Sequence, residues 1–324
     1  MKKILFLFFL LVTIISCEMD ELPIEPHNPG DIIVNQLFLG EKYRNQIFFH
    51  LNTNSVTAQN LKNDWDIAFQ NLSYGNSIII NSTQFSKVAV INNKNFMLDV
   101  NIDTLDWSYD SPSGIFDFNA MDNYLNENVF FIIDRGYDLD DEYLQSFKKI
   151  KIDSIRNNNY FIKYSNLDNT DLRNLVINED LDLNFQYFSF DNNGIAIIEP
   201  KKENWDLLFT KYTHLFNQDN GFFPYMVTGV HINYLNHTKV AIDTINNFES
   251  INYDNINNYL FFEKSDIIGY NWKSYSISDQ LFTIYPNINY IIKTSEGRYF
   301  KLHFIDFYNE LGEKGYPKFE FQEL

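Results

Sequence analysis

A tandem repeat limits the possible folds of this chain more than any other part of its sequence, because two similar segments are expected to adopt similar structures. The stretch "DWDIAF" at residues 64–69 is matched by "NWDLLF" at residues 204–209. Each tryptophan is preceded, at a distance of 17 residues, by a phenylalanine, which is Phe48 in the first case and Phe188 in the second. Such self-similarity at a fixed offset is typical of an internal duplication.

The similarity continues downstream of the Trp-Asp motif. "KVAVINNKNF" at residues 87–96 is matched by "KVAIDTINNF" at residues 239–248. We therefore predict a first β repeat over residues 31–165 and a second over residues 183–324. The spacing leaves open whether the repeats form two domains or one fused sandwich.

The chain alternates between apolar and polar residues in the manner of half-buried strands. Near the C-terminus, Phe300, Leu302 and Phe304 share one predicted face, and Lys301 and His303 share the other. Aromatic residues make up 17% of the chain, and they favour strands. The pattern predicts an all-β fold of antiparallel, sandwich-like sheets in two tandem similar halves.

The repeated Trp-Asp stretch is predicted to be a structural strand. Trp65 and Trp205 are expected to anchor the core from one face. Asp66 and Asp206 follow on the opposite face, where we expect them to bond a nearby turn.

The N-terminal sequence "MKKILFLFFLLVTIISC" has the form of a bacterial signal peptide that ends in a lipobox. Residues 1–17 are predicted to direct export, with Cys17 as the lipidation site and residues 18–30 as an acidic tether. A plain secretory signal with an incidental cysteine is the alternative. The lipobox predicts a lipoprotein anchored in the outer membrane. The acidic residues after Cys17 resemble a surface-export signal, which favours exposure at the cell surface over a periplasmic location.

Charge and motif content exclude several function classes. A net charge of −18 argues against binding to nucleic acid, which requires a basic face. The chain has no metalloprotease motif, phosphate-binding glycine loop or nucleophile elbow, so we do not expect an enzyme. The acidic run "DLDDEYL" at residues 138–144 lacks calcium-loop spacing and is interpreted as a solvated connector.

The two repeats differ most directly after the Trp-Asp strand. There are 17 residues between Phe69 and Lys87 but 29 between Phe209 and Lys239, and the longer stretch is interpreted as an enlarged loop. Functional residues concentrate on such loops. The longer stretch contains four candidate ligands that the first repeat lacks: His214, Met226, His231 and His237.

Each of these candidates also has an ordinary structural interpretation. His231 fits a solvent-facing strand position, His237 fits an exposed turn, and Met226 fits core filler. His214 shares a predicted strand face with Tyr212 and is equally well explained as a ligand or as a residue that orders the loop.

Three stretches of the second repeat resemble the HmuY-like haem-binding lipoproteins of Bacteroidetes. They are "YFSFDNNG" at 187–194, "NWDLLFTKYTH" at 204–214 and "YIIKTSEGRYFKLHFIDFYNELGEKGYPKFEF" at 290–321. The resemblance implies an all-β fold, haem as the ligand, a role in iron acquisition and a possible TonB-dependent outer-membrane receptor as partner. The first repeat is a more divergent relative of the second.

The resemblance also implies how haem would be held. His214 is the best-placed axial ligand, and the second ligand stays open among Met226, His231 and His237. The pocket candidates are Tyr212, Phe222, Phe223 and Tyr225, with Lys211 or Lys239 for the haem propionates. The alternative function is a surface interaction module whose aromatic loop binds a glycan, a peptide or a partner protein.

Overall fold

A computed structural model describes residues 29–115, 119–125, 127–219 and 221–324. The predicted signal peptide, Cys17 and tether residues 18–28 lie outside these ranges. Within them, no helix is both long and apolar enough to cross a membrane.

The described structure is built from twenty strands. In chain order they are β1 (Ile33–Gln36), β2 (Asn45–His50), β3 (Ser55–Leu61), β4 (Ile67–Gln70), β5 (Ile78–Ile80), β6 (Lys87–Ile91), β7 (Phe130–Asp134), β8 (Phe147–Arg156), β9 (Asn159–Asn166), β10 (Arg173–Asn178), β11 (Phe185–Ser189), β12 (Gly194–Ala196), β13 (Leu207–Gln218), β14 (Gly221–Ile232), β15 (Lys239–Asp243), β16 (Lys273–Ser276), β17 (Leu281–Ile284), β18 (Asn289–Lys293), β19 (Tyr299–Tyr308) and β20 (Lys314–Glu323). Short 3₁₀ helices lie at Glu41–Tyr43, Ser82–Gln84, Ile102–Thr104, Asp122–Tyr124, Lys202–Asn204, Tyr234–Asn236, Phe248–Ser250 and Tyr253–Asn258.

Eighteen of these strands form two packed sandwiches, and β16 and β17 pair with each other as a separate hairpin. The inserted sandwich stacks the sheet β10-β9-β8-β7-β6 on the sheet β12-β11-β4-β5, and its core residues all lie between Ile67 and Phe190. The terminal sandwich stacks β1-β20-β19-β18-β15 on β14-β13-β2-β3, and its core combines residues 37–51 with residues 207–321. All strand pairs are antiparallel, which confirms the predicted all-β, sandwich-like fold.

A sequence repeat and a packed sandwich are different divisions of this chain. Strand β4 pairs with β11, and β13 pairs with β2, so each Trp-Asp strand joins a strand from the other predicted repeat. The inserted sandwich is consequently continuous in sequence, from β4 to β12. It interrupts the terminal sandwich, which takes β1–β3 from one end of the chain and β13–β15 and β18–β20 from the other.

The two aspartates of the Trp-Asp motif stabilise these exchanged pairs. Asp66 Oδ2 accepts a hydrogen bond from the backbone of Phe190 at 2.8 Å, and Asp206 Oδ2 accepts one from the backbone of Leu51 at 2.9 Å. Both carboxylates are buried. Leu51 and Phe190 are the first residues of the turns at 51–54 and 190–193, so each carboxylate bonds a turn as predicted, although that turn is far away in sequence. Asp66 also pairs with the buried Arg135 at 2.6 Å.

The two four-stranded sheets face each other across a layer that we call the joint. It is packed by Phe48 and Trp205 from one side and by Trp65 and Tyr187 from the other, and each of these pairs meets edge to face at 5.0 Å. Both tryptophans are buried, at 5% and 7% exposure. They pack in the joint between the sandwiches, outside the two sandwich cores.

The acidic segment 138–142 clamps the two sandwiches together and is not a solvated connector. Asp141 pairs with both Lys62 and Lys211, and the Arg44 Nε donates to Asp140 at 2.8 Å. The segment is preorganised, because Asp138 Oδ1 accepts hydrogen bonds from the backbone of Asp140 and Glu142. The basic residues of the terminal sandwich thus give this acidic run a structural role.

Candidate functional site

The surplus residues of the second repeat lengthen a β-hairpin and do not form a loop. Strands β13 and β14, the long hairpin, pair over twelve positions, from Leu207↔Ile232 to Gln218↔Gly221. The corresponding strands β4 and β5 pair over only three. The segment "TKYTHLF" at residues 210–216 is rich in β-branched and aromatic residues, which favour strands. This explains why the added residues continue the β-ladder.

Among the residues that the structure describes, a backbone bridge covers the outer edge of the long hairpin near its base. Val230 exchanges two backbone hydrogen bonds with Gly269, at 3.0 and 2.9 Å. Glycine is required on both sides of this contact, since a Cβ on Gly229 would lie 2.4 Å from the Gly269 carbonyl oxygen and Gly269 has a φ of +56°. Beyond this bridge the edge of β14 borders an open groove.

This edge groove has a volume of about 570 Å³ and is lined by aromatic, basic and thioether side chains. Its aromatic residues are Tyr43, Phe216, Tyr225, Tyr270, Tyr275, Phe282 and Tyr285. Its lysines are Lys211, Lys273 and Lys314, and its sulfur atom comes from Met226. The volume falls within the range of about 300–1,000 Å³ that is usual for small-molecule sites.

Lys273, the first residue of β16, is buried beside the groove, with 6% of its surface exposed. Its Nζ donates to the Thr228 carbonyl at 2.6 Å and lies 3.9 Å from the centre of the Trp272 ring. Among the described residues no carboxylate pairs with it. Burial lowers the pKa of Lys273 well below its usual value, because the apolar surroundings disfavour the ammonium form.

Of the predicted ligands, Met226 lines the groove, whereas His214 lies behind its wall. The His214 ring packs on Phe216 at 4.7 Å and on Tyr270 at 4.9 Å, and its Nδ1 is 4.0 Å from Asp266 Oδ2. Burial lowers the pKa of His214. His214 is eight residues into a twelve-residue strand and not at the strand's end, as the loop interpretation required.

His231 and Tyr212 lie further toward the base of the long hairpin. Their rings meet at 4.3 Å, and the His231 Nδ1 is 2.9 Å from Ser265 Oγ. Burial lowers the pKa of His231 to about 4, so this imidazole is neutral at physiological pH. Both residues border the joint and not the edge groove.

The remaining candidates are spread over the surface. Phe222, Phe223 and Tyr225 project from the hairpin tip, with 68%, 48% and 57% of their surfaces exposed. His237 lies beyond the base of the hairpin, 3.7 Å from Glu263, and Lys239 pairs with the same carboxylate at 2.8 Å.

Strand geometry decides which candidates come together. His214 is opposite Tyr225, and Met226 is opposite Thr213. Since opposite residues share a face and successive residues alternate, His214 and Met226 point to opposite faces of the hairpin. The structure brings Met226 together with Tyr225 and Lys211 at the groove, although the Lys211 ammonium is already paired with Asp141.

Several groove residues were missed in the sequence because they lie outside the repeated motifs. Tyr270, Tyr275, Phe282 and Tyr285 come from residues 270–285, a stretch with five aromatic residues among sixteen. Lys273 directly follows the remaining one, Trp272. A lysine set among aromatic residues was the signal that could have identified the groove.

A second, smaller cavity of about 120 Å³ lies in the joint. Glu199 lines it and is 4% exposed, with Oε1 accepting the backbone N–H of Phe185 at 2.8 Å. Burial raises the pKa of Glu199 to about 8, and it raises the pKa of Asp110, on the same cavity, to about 7. Both carboxyl groups therefore stay protonated to a higher pH in the folded chain than in the unfolded chain.

These carboxyl groups predict a stability that falls as pH rises. A carboxyl group whose pKa is higher in the folded chain than in the unfolded chain contributes stability at pH values below its unfolded-state pKa. For Glu199, this contribution is lost as the pH rises from about 4.5 to about 8. We expect Glu199→Gln to remove about 2–4 kcal/mol of the pH-dependent loss, as measured by urea unfolding from pH 5 to pH 9. The exposed Glu203→Gln is the control, and an unchanged pH profile for Glu199→Gln would contradict the prediction.

Comparison with known proteins provides the family. A family model described as HmuY protein matches residues 42–321. Among solved structures, the apo HmuY analogue of Tannerella forsythia is similar at 10% identity over 92% of this chain and 98% of that chain, with a TM-score of 0.34. Apo PinO from Porphyromonas gingivitis is similar at 10% identity over 91% and 97% of the two chains, with a TM-score of 0.31. No curated protein matches the chain.

The family match extends beyond the second repeat, where the resembling motifs were found, and includes most of the first. It confirms the family that those motifs predicted. Because the matching region covers far more than half of the 324 residues, this chain belongs to the HmuY family.

Proposed function

We propose that this chain binds haem in the edge groove as a non-catalytic surface lipoprotein of haem or iron acquisition. The observation that carries the proposal is the combination of side chains along one edge of the long hairpin. Aromatic walls, a methionine and lysines line a single groove of about 570 Å³. Haem presents the complementary chemistry, which is a flat apolar ring, a central iron and two carboxylates.

Met226 would supply an axial ligand, since methionine sulfur is an established haem ligand. It is the one of the four predicted ligands that lines the groove within the described residues. Tyrosine is the other haem-ligating residue type present there. His214 would instead support the wall, because it packs against Phe216 and Tyr270.

The proposed cellular context follows from the N-terminal sequence. A lipidated Cys17 and an acidic tether over residues 18–30 would hold the protein at the outer membrane, exposed at the cell surface. A TonB-dependent receptor would be the partner that receives the haem.

The proposal predicts a Soret band when hemin is added to the chain beginning at Cys17. Met226→Leu keeps the apolar volume but removes the sulfur, so we expect at least a roughly tenfold loss of hemin affinity and an altered spectrum. The exposed Met97→Leu is the matched control and should behave as wild type. Absorbance titration of the three proteins with hemin makes the comparison.

No Soret change in the correctly folded wild-type protein would contradict haem binding. An unchanged spectrum in Met226→Leu would remove Met226 from the site but leave haem binding in place. The wild-type result therefore tests haem binding, and the Met226→Leu result tests Met226 as the axial ligand.

A second candidate function is a surface interaction module. The observation that favours it is the exposure of Phe222, Phe223 and Tyr225 at the hairpin tip, because contiguous exposed aromatic residues mark contact sites. A glycan, a peptide or a partner protein would then bind the tip. Loss of binding after Phe222→Ser, with the hemin spectrum unchanged, would distinguish this function from the first.

A further inference from the structure

Lys273 is a basic group in the edge groove, and no carboxylate of the described residues pairs with it. Within the described ranges, its Nζ donates one hydrogen bond, to the carbonyl oxygen of Thr228, and its other close neighbours are the rings of Trp272, Phe307 and Phe282. A buried ammonium is costly unless an anion pairs with it. The groove therefore contains a site where a negative charge on a ligand would be stabilised.

Building on the haem site proposed above, we propose that Lys273 receives the anionic group of the groove's ligand and takes up one proton when that ligand binds. The ligand class is a flat, apolar ring system that bears a carboxylate. Aromatic walls select the ring, and the buried amine selects the anion.

The other titratable groups of the groove do not compete for this role. The ammonium of Lys211 is already paired with Asp141, and Lys314 is exposed at the rim. Burial raises the pKa of Tyr43 and of Tyr270, which keeps these phenols protonated. Tyr275 and Tyr285 line the same walls. In the described part of the chain, the elements packed on Lys273 contribute Thr228, Trp272, Phe282 and Phe307, none of which titrates near neutral pH.

The sign of the pH effect follows from the environment of Lys273. Its pKa in the free protein is depressed by burial, so a large share of the amine is neutral above that value. A bound carboxylate favours the ammonium and raises this pKa, so binding takes up a proton. The ligand affinity should then fall as the pH rises from the free-state pKa of Lys273 toward its bound-state pKa, by up to about tenfold for each pH unit.

Iron-free protoporphyrin IX tests this proposal without iron chemistry. Its fluorescence titration from pH 7 to pH 9 should show the predicted fall in affinity. Calorimetry in two buffers of different ionisation enthalpy should show the uptake of about one proton. The dimethyl ester of the same porphyrin carries no carboxylate, so we expect it to bind without proton uptake.

Lys273→Met replaces the amine by an apolar side chain of similar length. We expect it to fold, to bind protoporphyrin IX at least about tenfold more weakly at pH 7, and to lose both the proton uptake and the pH dependence. Lys314→Met is the matched control, since it removes an exposed charge from the same groove. It should weaken binding slightly and keep the proton uptake.

The outcomes separate this proposal from the haem proposal. Hemin binding with no proton uptake, or equal uptake with the diacid and the ester, would overturn the role of Lys273 and leave haem binding intact. If neither hemin nor porphyrin binds but anilinonaphthalenesulfonate binds with Lys273-dependent proton uptake, the anion site stands and haem is the wrong ligand. If Lys273→Met does not fold, the comparison of diacid and ester on the wild-type protein still decides.

Discussion

Replacing Trp65 or Trp205 with alanine will destabilise the chain by about 3–5 kcal/mol, because each large ring is buried in the joint between the sandwiches. Phenylalanine will separate the two positions. The Trp65 Nε1 donates to Gln46 Oε1 at 2.9 Å, whereas the buried Trp205 Nε1 has no partner among the described residues. Trp65→Phe should therefore cost about 1–3 kcal/mol more than Trp205→Phe.

Urea unfolding of the four variants measures these differences, and an unchanged m-value would show that the unfolding transition is comparable. A cost below about 1 kcal/mol for Trp205→Ala would mean that Trp205 does not anchor the joint. Equal costs for the two phenylalanine variants would mean that the bond to Gln46 adds no stability.

Replacing Asp141 with asparagine will destabilise the chain by about 3–5 kcal/mol, because it leaves two buried lysines without a counter-charge. The side chains of Lys62 and Lys211 are only 1% and 11% exposed. Burial lowers the pKa of Lys62, and the neighbouring Lys211 charge also lowers it, while Asp141 raises it. Without Asp141, burial and the charge of Lys211 still disfavour the Lys62 ammonium, and the carboxylate that stabilised it is gone.

Asp140→Asn is the matched control for Asp141→Asn. Its partner Arg44 and Asp140 itself are about one-third exposed, so the loss should stay below about 1 kcal/mol. Adding Lys62→Met to Asp141→Asn should recover part of the lost stability, since it removes one unpaired charge. Equal effects of the Asp140 and Asp141 variants in thermal and urea unfolding would contradict the clamp.

The strands were predictable from sequence because apolar and polar side chains alternate along a pleated strand. Phe300, Leu302 and Phe304 are buried together on β19, as their spacing predicted, but Lys301 and His303 on the other face are buried as well. Which strands pair was not predictable, since the two Trp-Asp strands present nearly the same local pattern. Strand β4 would satisfy the same pattern beside β2 or beside β11, and the choice depends on contacts across the whole chain.

The candidate site was only partly predictable for a related reason. Met226, Tyr225 and Lys211 came from the surplus of the second repeat, and they do line the groove. The opposite wall comes from residues 270–285, which are far from the hairpin in sequence and lie outside the repeated motifs. Likewise, the acidic segment at 138–142 shows no cationic partners in its own neighbourhood, because Lys62 and Lys211 come from elsewhere in the chain.

The interruption of one sandwich by the other imposes an order on folding. The inserted sandwich is complete once β12 has emerged, but β1 pairs with β20, so that Ile33 meets Phe321 only when the whole chain is available. Strand β1 and the β2–β3 hairpin must wait without their partners β20 and β13 while about half of the chain is made and folds. Contacts at such separations form slowly. The N-terminal hairpin is therefore the segment most exposed to aggregation and to chaperone capture before the last strand closes the fold.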